Sequence, residues 1–382
     1  MTKFKTTLLA MAVSAAAFSV QAAQVSLYGS VSTGVLYQNQ ASLSGGKEPQ
    51  ESKDSFTMES GFWGDSIWGI TGEEDLGNGW TVGFTLENEF GSDTGEMAGA
   101  DPEGSVLFDS QAYLRIGNDK VNFAFGNIGG LASAGGDFDL LCAFDPMEAF
   151  VGVAGLGAFA SKDFASGNMA VVEVTPMEGF KVSLMGNTGD DDSNAKWSDR
   201  DHYYGLGVSY ENGPLALAAI AEMRKYDKIA ERNNLSDNDD SWTFTVAAAY
   251  DFEVIRPSFV YQHASKTREF AASEVSSGGA YNFDSFMLGA TAPLGQGTLR
   301  ASVQYVKGEN DAVSDEEGSA TILGLAYTYD MSKRTTLYGA AFYSVGGDGL
   351  DKDLGANETE FGLMGRADYN SVGFGVGLVH TF

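Results

Sequence analysis

The sequence predicts an all-β chain that closes into an antiparallel transmembrane β-barrel. Three observations favour this class. Short runs of alternating apolar and polar residues recur along the chain, and the connections between them alternate between short and long. Gly, Phe and Tyr are plentiful at 49, 25 and 16 residues, whereas Pro is scarce at 7. Beyond the N-terminal segment, no apolar run approaches the roughly 18 residues that a spanning helix needs.

The N-terminal segment is typical of an export signal. Lys3 and Lys5 supply a positive start, residues 8–18 are mostly apolar, and a small-residue site ends at Ala22. We expect cleavage after Ala22. Residues 1–22 are then a signal peptide, and residues 23–382 form one barrel domain.

The chain is strongly acidic. Its formal net charge is −29, and removing Lys3 and Lys5 with the signal lowers the charge to −31. A nucleic-acid partner is excluded because such partners need a basic footprint. The single cysteine, Cys142, cannot form an internal disulfide, and we interpret it as a small buried residue rather than a nucleophile.

The first candidate strand, residues 25–38, shows the two-faced pattern clearly. Val25, Leu27 and Val31 share one face, whereas Ser26 and Ser30 lie on the other, as in a membrane strand with one apolar face. Sixteen strands are predicted in all. The others are residues 65–73, 80–86, 111–116, 121–125, 168–175, 180–187, 202–211, 215–225, 241–251, 258–267, 281–291, 298–308, 319–330, 336–345 and 373–382.

The connections separate into two kinds. Short ones, such as residues 117–120, 212–214 and 331–335, alternate with long polar ones such as 39–60 and 188–201. Tight turns at one rim and long loops at the other are typical of outer-membrane barrels. A soluble β-sandwich shares the alternation of apolar and polar residues, but it does not require short turns at one end and long loops at the other. It also has no need of aromatic strand ends, which occur at Tyr37, Trp80, Phe90, Trp242, Tyr250, Tyr305, Tyr329 and Tyr343. A barrel of sixteen strands is too wide for side chains to fill, which predicts a water-filled lumen.

Residues 127–165 interrupt the alternation for about forty residues, and a connection of this length usually marks a functional loop. Four carboxylates occur there among apolar residues, and we expect the segment to fold into the lumen as a charged constriction. A surface excursion or lid with solvated acids is the alternative. The four acids are Asp137, Asp139, Asp145 and Glu148.

Five segments together resemble the Gram-negative trimeric general porins of the β-proteobacterial type. They are VSLYGSV at 25–31, GEEDLGNG at 72–79, FDSQAY at 108–113, the turn at 332–335, and GFGVGLVHTF ending at Phe382. The resemblance implies an outer-membrane homotrimer, in which residues 127–165 are the inward-folded third loop and 91–109 latch onto a neighbouring subunit. It also implies that Phe382 is read by the barrel-insertion machinery. The implied partners are outer-membrane lipid, lipopolysaccharide, ions and small hydrophilic solutes, with no cofactor.

Ion selectivity depends on the charges that face the lumen. Parity places Arg115, Lys181 and Arg300 inward, opposite the four loop acids. Where many members of the resembling family carry basic residues, this chain has Asp65 and Asn127. We therefore expect a weak cation preference.

Other functions are less well supported by the residues. The three histidines, His202, His263 and His380, fall in separate predicted strands without a catalytic motif, so we predict no enzyme. The acidic clusters at 190–192 and 237–240 lack EF-hand spacing and are interpreted as solvated loop tips rather than metal sites. A substrate-specific channel and a structural or adhesive barrel stay open as alternatives.

Overall fold

The computed structural model describes residues 24–41, 53–61, 63–97, 106–133, 135–148, 156, 159, 166–189, 196–197, 200–225, 240–267, 269–270, 273–274, 281–310, 317–346 and 370–382. The predicted signal peptide and the acidic clusters at 190–192 and 237–239 lie outside these residues.

Most of the described residues lie in β-strands. They are β1 (Gln24–Ala41), β2 (Lys53–Ser60), β3 (Ile67–Gly77), β4 (Trp80–Glu89), β5 (Gln111–Gly117), β6 (Val121–Ile128), β7 (Ser166–Met177), β8 (Phe180–Asn187), β9 (His202–Asn212), β10 (Leu215–Lys225), β11 (Ser241–Tyr250), β12 (Arg256–Thr267), β13 (Glu269–Phe270), β14 (Ser273–Glu274), β15 (Tyr281–Leu294), β16 (Gly297–Asn310), β17 (Glu317–Ser332), β18 (Thr335–Gly346) and β19 (Asn370–Thr381). One short 3₁₀ helix, η1 (Cys142–Phe144), lies between β6 and β7.

The strands form one closed antiparallel sheet. Neighbouring strands pair along the chain, and β1 closes the ring by pairing with β19, as in Val35↔Val376. The sheet contains 17 segments, but β2 and β3 both pair with β1, at Leu36↔Thr57 and at Leu27↔Ile70. These two segments share one strand position, which confirms the predicted barrel of sixteen antiparallel strands. The β13–β14 hairpin forms a separate small sheet.

One strand segment of the barrel sheet, β2, was not expected from the sequence. Residues 39–60 were predicted to be a long polar loop, yet β2 occupies Lys53–Ser60 and pairs with β1. Phe56 and Met58 point outward and are 71% and 60% exposed. The run is short and rich in polar residues, so its strand character comes from the pairing with β1 rather than from a strong local pattern.

The two faces of the barrel differ as a membrane barrel requires. Outward side chains are apolar and exposed, for example Leu114 and Leu288, whereas inward positions on β11, β12 and β16 carry the buried polar side chains Thr245, Gln262 and Gln304. Trp242, Tyr250, Tyr305, Tyr329 and Tyr343, predicted at strand ends, are among the exposed large side chains. None of the helices in the described residues is long and apolar enough to cross a membrane.

Candidate pore constriction

The segment that connects β6 to β7, residues 129–165, is called here the β6–β7 segment. It begins against the inner wall at β9 and β10. The Leu131 N–H donates to the Tyr203 hydroxyl (3.0 Å), and the Ala132 N–H donates to the Glu222 carboxylate (3.2 Å). Glu222 is 1% exposed and also accepts hydrogen bonds from the hydroxyls of Tyr203 (2.7 Å) and Thr243 (3.0 Å). These bonds satisfy a buried carboxylate and anchor the start of the segment.

The segment next contacts β5. The Tyr113 hydroxyl donates to the Asp137 carboxylate, and the Phe138 ring packs edge-to-face on the Tyr113 ring at 5.5 Å. The Asp137 N–H donates to the Gln111 side-chain oxygen (3.1 Å). Asp137, the first of the predicted constriction acids, is therefore bonded to the β5 wall.

Two of the predicted acids shape the segment itself. The Asp139 carboxylate accepts the N–H groups of Leu141 (2.9 Å) and Cys142 (2.6 Å) at the beginning of η1. The Asp145 carboxylate accepts the Met147 N–H (2.8 Å), and this side chain is buried. Short Asp side chains commonly stabilise tight turns through such bonds to nearby backbone N–H groups.

The fourth acid reaches the far wall. Glu148 pairs with Arg300 of β16 at 2.6 Å, and Arg300 also donates to the Pro146 carbonyl (3.2 Å). Pro146 packs onto Gly289 of β15, where an added Cβ would lie 2.5 Å from Pro146 Cγ. In the ring of sixteen strands, β5 is fourth and β16 is thirteenth, so the two lie on nearly opposite sides. The described residues of the β6–β7 segment thus contact side chains of both β5 and β16.

Arg115, a predicted wall cation, pairs with a wall carboxylate instead of a loop acid. It lies inward on β5 and forms a 2.7 Å salt bridge with Glu73 of β3. Gly83 of β4 stands between them in the pairing register, and an added Cβ there would lie 2.9 Å from Arg115 Nε. The absence of a side chain at Gly83 therefore lets Arg115 reach across one strand. Sequence reasoning missed Glu73 because the residue borders a strong turn signal.

Lys181 has a similar arrangement on the neighbouring wall. It pairs with Glu173 of β7 at 3.0 Å, and Glu173 lies close to Asn122 and Ser183 (3.4 Å each). Glu173 lies within a strand that the sequence predicted, so its inward parity could have been read from the alternation. Among the described contacts of the three predicted wall cations, Arg300 is the one that reaches a loop acid.

Cys142 differs from the sequence expectation. Its side chain is exposed, so the interpretation of a small buried residue is wrong. The residue before it, Leu141, fills the buried position instead. Partial desolvation and the neighbouring Asp139 carboxylate raise the pKa of the Cys142 thiol above its ordinary value. The thiol is therefore protonated at neutral pH, which does not suit a nucleophile.

The other residues singled out in the sequence lie apart from this region. The Phe382 N–H donates to the Gly29 carbonyl (3.0 Å) where the barrel closes, and the Phe382 side chain is 43% exposed. His263 pairs with Asp284 on the outer face (3.0 Å), whereas His202 and His380 lie on other strands. Within the described residues, no group of His, Cys, Asp and Glu is arranged to hold a metal ion.

The arrangement defines a class of protein. A closed barrel with an apolar outer face, charged side chains inside it and a segment that reaches across its interior is a channel barrel of an outer membrane.

The comparisons with known proteins agree with this class. The chain belongs to the Gram-negative porin family, whose model matches residues 6–349. It is 28% identical to outer membrane porin protein 32 of Delftia acidovorans and 26% identical to an outer membrane porin protein of Bordetella pertussis. Both alignments cover 99% of this chain and 100% of the relative. An anion-selective porin from Comamonas acidovorans has a similar structure, with a TM-score of 0.68 and 22% identity over 94% of this chain and 100% of that chain.

Family membership confirms the resemblance seen in the sequence and the outer-membrane location. It also assigns the protein to the channels rather than the enzymes.

Proposed function

We propose that this protein is a channel for passive diffusion of ions and small hydrophilic solutes across the outer membrane. The proposal rests on two ion pairs inside the barrel, Arg115–Glu73 and Lys181–Glu173. Arg115 and Glu73 are 39% and 51% exposed, and Lys181 is 42% exposed. Glu173, the partner of Lys181, is 11% exposed. Ionised side chains inside a dry barrel would carry a large desolvation penalty, so the exposure of the other three side chains supports a water-filled path.

We also propose that the β6–β7 segment narrows this path and that the channel weakly prefers cations. Each of the three wall cations has a carboxylate within 3.0 Å. Asp137 adds a further carboxylate whose described side-chain partner is the neutral Tyr113 hydroxyl, and charge at the narrowest point decides which ions enter. The Comamonas porin is described as anion-selective, but at 22% identity the similarity extends to the fold alone.

The assembly proposed here is a homotrimer in contact with outer-membrane lipid and lipopolysaccharide. Exposed apolar residues around the outer face, such as Leu206 and Phe374, supply the surface for lipid or for neighbouring subunits. We further propose that the signal peptide, residues 1–22, is removed and that residues 23–382 form the barrel domain. The barrel-insertion machinery would then recognise Phe382, which directly follows the closing strand β19.

Recording from planar lipid bilayers tests this function. Purified protein should produce discrete ohmic current steps, and a potassium chloride gradient should give a reversal potential of cationic sign. Deletion of residues 135–155 should raise the conductance if the β6–β7 segment limits the path. An absence of conductance would favour the structural or adhesive barrel. Block of the current by low concentrations of a sugar or a dicarboxylate would favour the substrate-specific channel.

A further inference from the structure

The second strand position of the barrel is interrupted between β2 and β3, at residues 61–66. Gly61 and Gly64 have φ angles of 69° and 71°, a conformation that residues with a Cβ rarely adopt. The Gly61 N–H donates to the Ser32 carbonyl of β1 (3.1 Å), so the chain leaves the regular ladder at a defined point. The interruption is called here the strand break.

Serine side chains hold the strand break against β1. The Ser32 hydroxyl donates to the Trp63 carbonyl (3.0 Å), and the Ser66 hydroxyl donates to the Ser32 carbonyl (3.0 Å). The Ser32 N–H in turn donates to the Ser66 hydroxyl oxygen (3.0 Å). Both serines are fully buried. The strand break is therefore a fixed feature of the wall, as strand irregularities that redirect a side chain usually are.

The side chain that the strand break redirects is Trp63, and it enters the barrel. Trp63 is 4% exposed and stacks on Tyr338 of β18 with ring centroids 5.7 Å apart. The Arg300 guanidinium lies 5.3 Å from the centre of the Trp63 ring. Since Tyr338 and Arg300 both lie on inward faces, Trp63 extends along the lumen from the second strand position toward β16.

Arg300 is shared between the strand break and the β6–β7 segment. It forms the 2.6 Å pair with Glu148 and the bond to the Pro146 carbonyl, while the Trp63 ring lies against its guanidinium. A planar guanidinium can bind a carboxylate at its edge and an aromatic ring on its face at the same time, which a lysine does less well.

We propose that the strand break is a second constriction element and that Arg300 is the positioning residue that couples Trp63 to the tip of the β6–β7 segment. The proposal rests on the channel function proposed above. Trp63 orients Arg300, and Arg300 holds Glu148 against the β16 wall. Removing the Trp63 ring should therefore loosen the tip of the segment.

The experiment compares single channels of the full chain in planar bilayers. Trp63→Ala should increase the open-channel current noise and shift the reversal potential. The fraction of channels in which Glu148 has left Arg300 should rise roughly 2- to 30-fold. This range is the factor by which losing a cation–π contact of ordinary strength shifts an equilibrium. Trp63→Phe, which keeps a ring, should give an intermediate result. Trp242→Ala is the matched control because Trp242 lies on the outer face and is 53% exposed.

The coupling through Arg300 is tested by combining variants. In an Arg300→Gln background, Trp63→Ala should have little further effect on noise or reversal potential, whereas Arg300→Lys should restore part of the Trp63 dependence. Equal effects of Trp63→Ala in both backgrounds would overturn the coupling. Unchanged currents in both Trp63 variants would overturn the second constriction. The channel function would still hold in that case, because the wild-type protein conducts. An absence of wild-type conductance would overturn the channel function itself, and this inference with it.

Discussion

Neutralising one member of the Arg115–Glu73 pair should change the ion selectivity of the channel in a direction set by the charge removed. Both side chains are about half exposed, and a pair of this kind contributes about 0 to 1 kcal/mol to stability. Arg115→Gln and Glu73→Gln should therefore fold normally. Arg115→Gln leaves Glu73 unbalanced and favours cations, whereas Glu73→Gln favours anions.

The size of the effect follows from the position of the pair inside the barrel. An ion that passes about 5 Å from a unit charge in water-like surroundings interacts by about 0.8 kcal/mol, which screening at 0.1 M salt reduces to about 0.5 kcal/mol. The charge acts with opposite sign on cations and anions, so their permeability ratio should change about fivefold. The reversal potential in a potassium chloride gradient measures this ratio directly.

The double variant provides the internal control. With both charges removed, the ratio should return close to the wild-type value, because the net charge of the path is then unchanged. Lys333→Gln, in an exposed turn, should leave the ratio unaltered. If both single variants kept the wild-type ratio, Arg115 and Glu73 would not lie along the ion path, and the assignment of a water-filled lumen beside β3 and β5 would fail.

Three further predictions concern the β6–β7 segment. Gly289→Ala should displace Pro146, because an added Cβ would lie 2.5 Å from Pro146 Cγ. The displacement should change the single-channel conductance. An unchanged conductance would mean that the β6–β7 segment does not pack against β15 at Gly289. Glu222→Gln should lower the free energy of unfolding by about 1 to 3 kcal/mol because a donor group would replace a buried acceptor, whereas Glu178→Gln in an exposed turn should not; urea unfolding in detergent measures both. Alkylation of Cys142 should remain slow up to a higher pH than for an ordinary thiol because its pKa is raised, and a rate typical of a free cysteine at pH 8 would contradict this.

Much of the fold could be predicted from the sequence because a membrane barrel repeats one local rule. Each strand needs one lipid-facing side and one lumen-facing side, so alternation alone locates strands such as β1 and β16 and sets the inward parity of Arg115 and Arg300. The strand break did not follow from this rule. Residues 53–60 carry too few apolar positions to indicate a strand, and β2 becomes one because it completes the ladder beside β1.

The sequence was enough to propose the residues of the candidate site but not their contacts. The four loop acids and three wall cations could be chosen from composition and parity. Their partners depend on distances across the barrel, such as the reach of Arg115 past Gly83 to Glu73. The bonds of Asp139 and Asp145 to nearby N–H groups depend on the local path of the chain. The alternation of apolar and polar residues does not predict that path, because this segment is not a strand.

The sequence by itself determined that this protein is a closed, acidic outer-membrane barrel, because two-residue alternation, sorted connections and aromatic strand ends are local properties of the chain. The tertiary structure decided which charges balance one another, because ion pairing acts over a few ångströms between residues far apart in sequence. Glu148 and Arg300 are separated by about 150 positions, and Trp63 reaches the same guanidinium from the other end of the chain. No local sequence pattern predicts that Glu148 and Trp63 contact the same guanidinium. Closure of the barrel brings these three residues together.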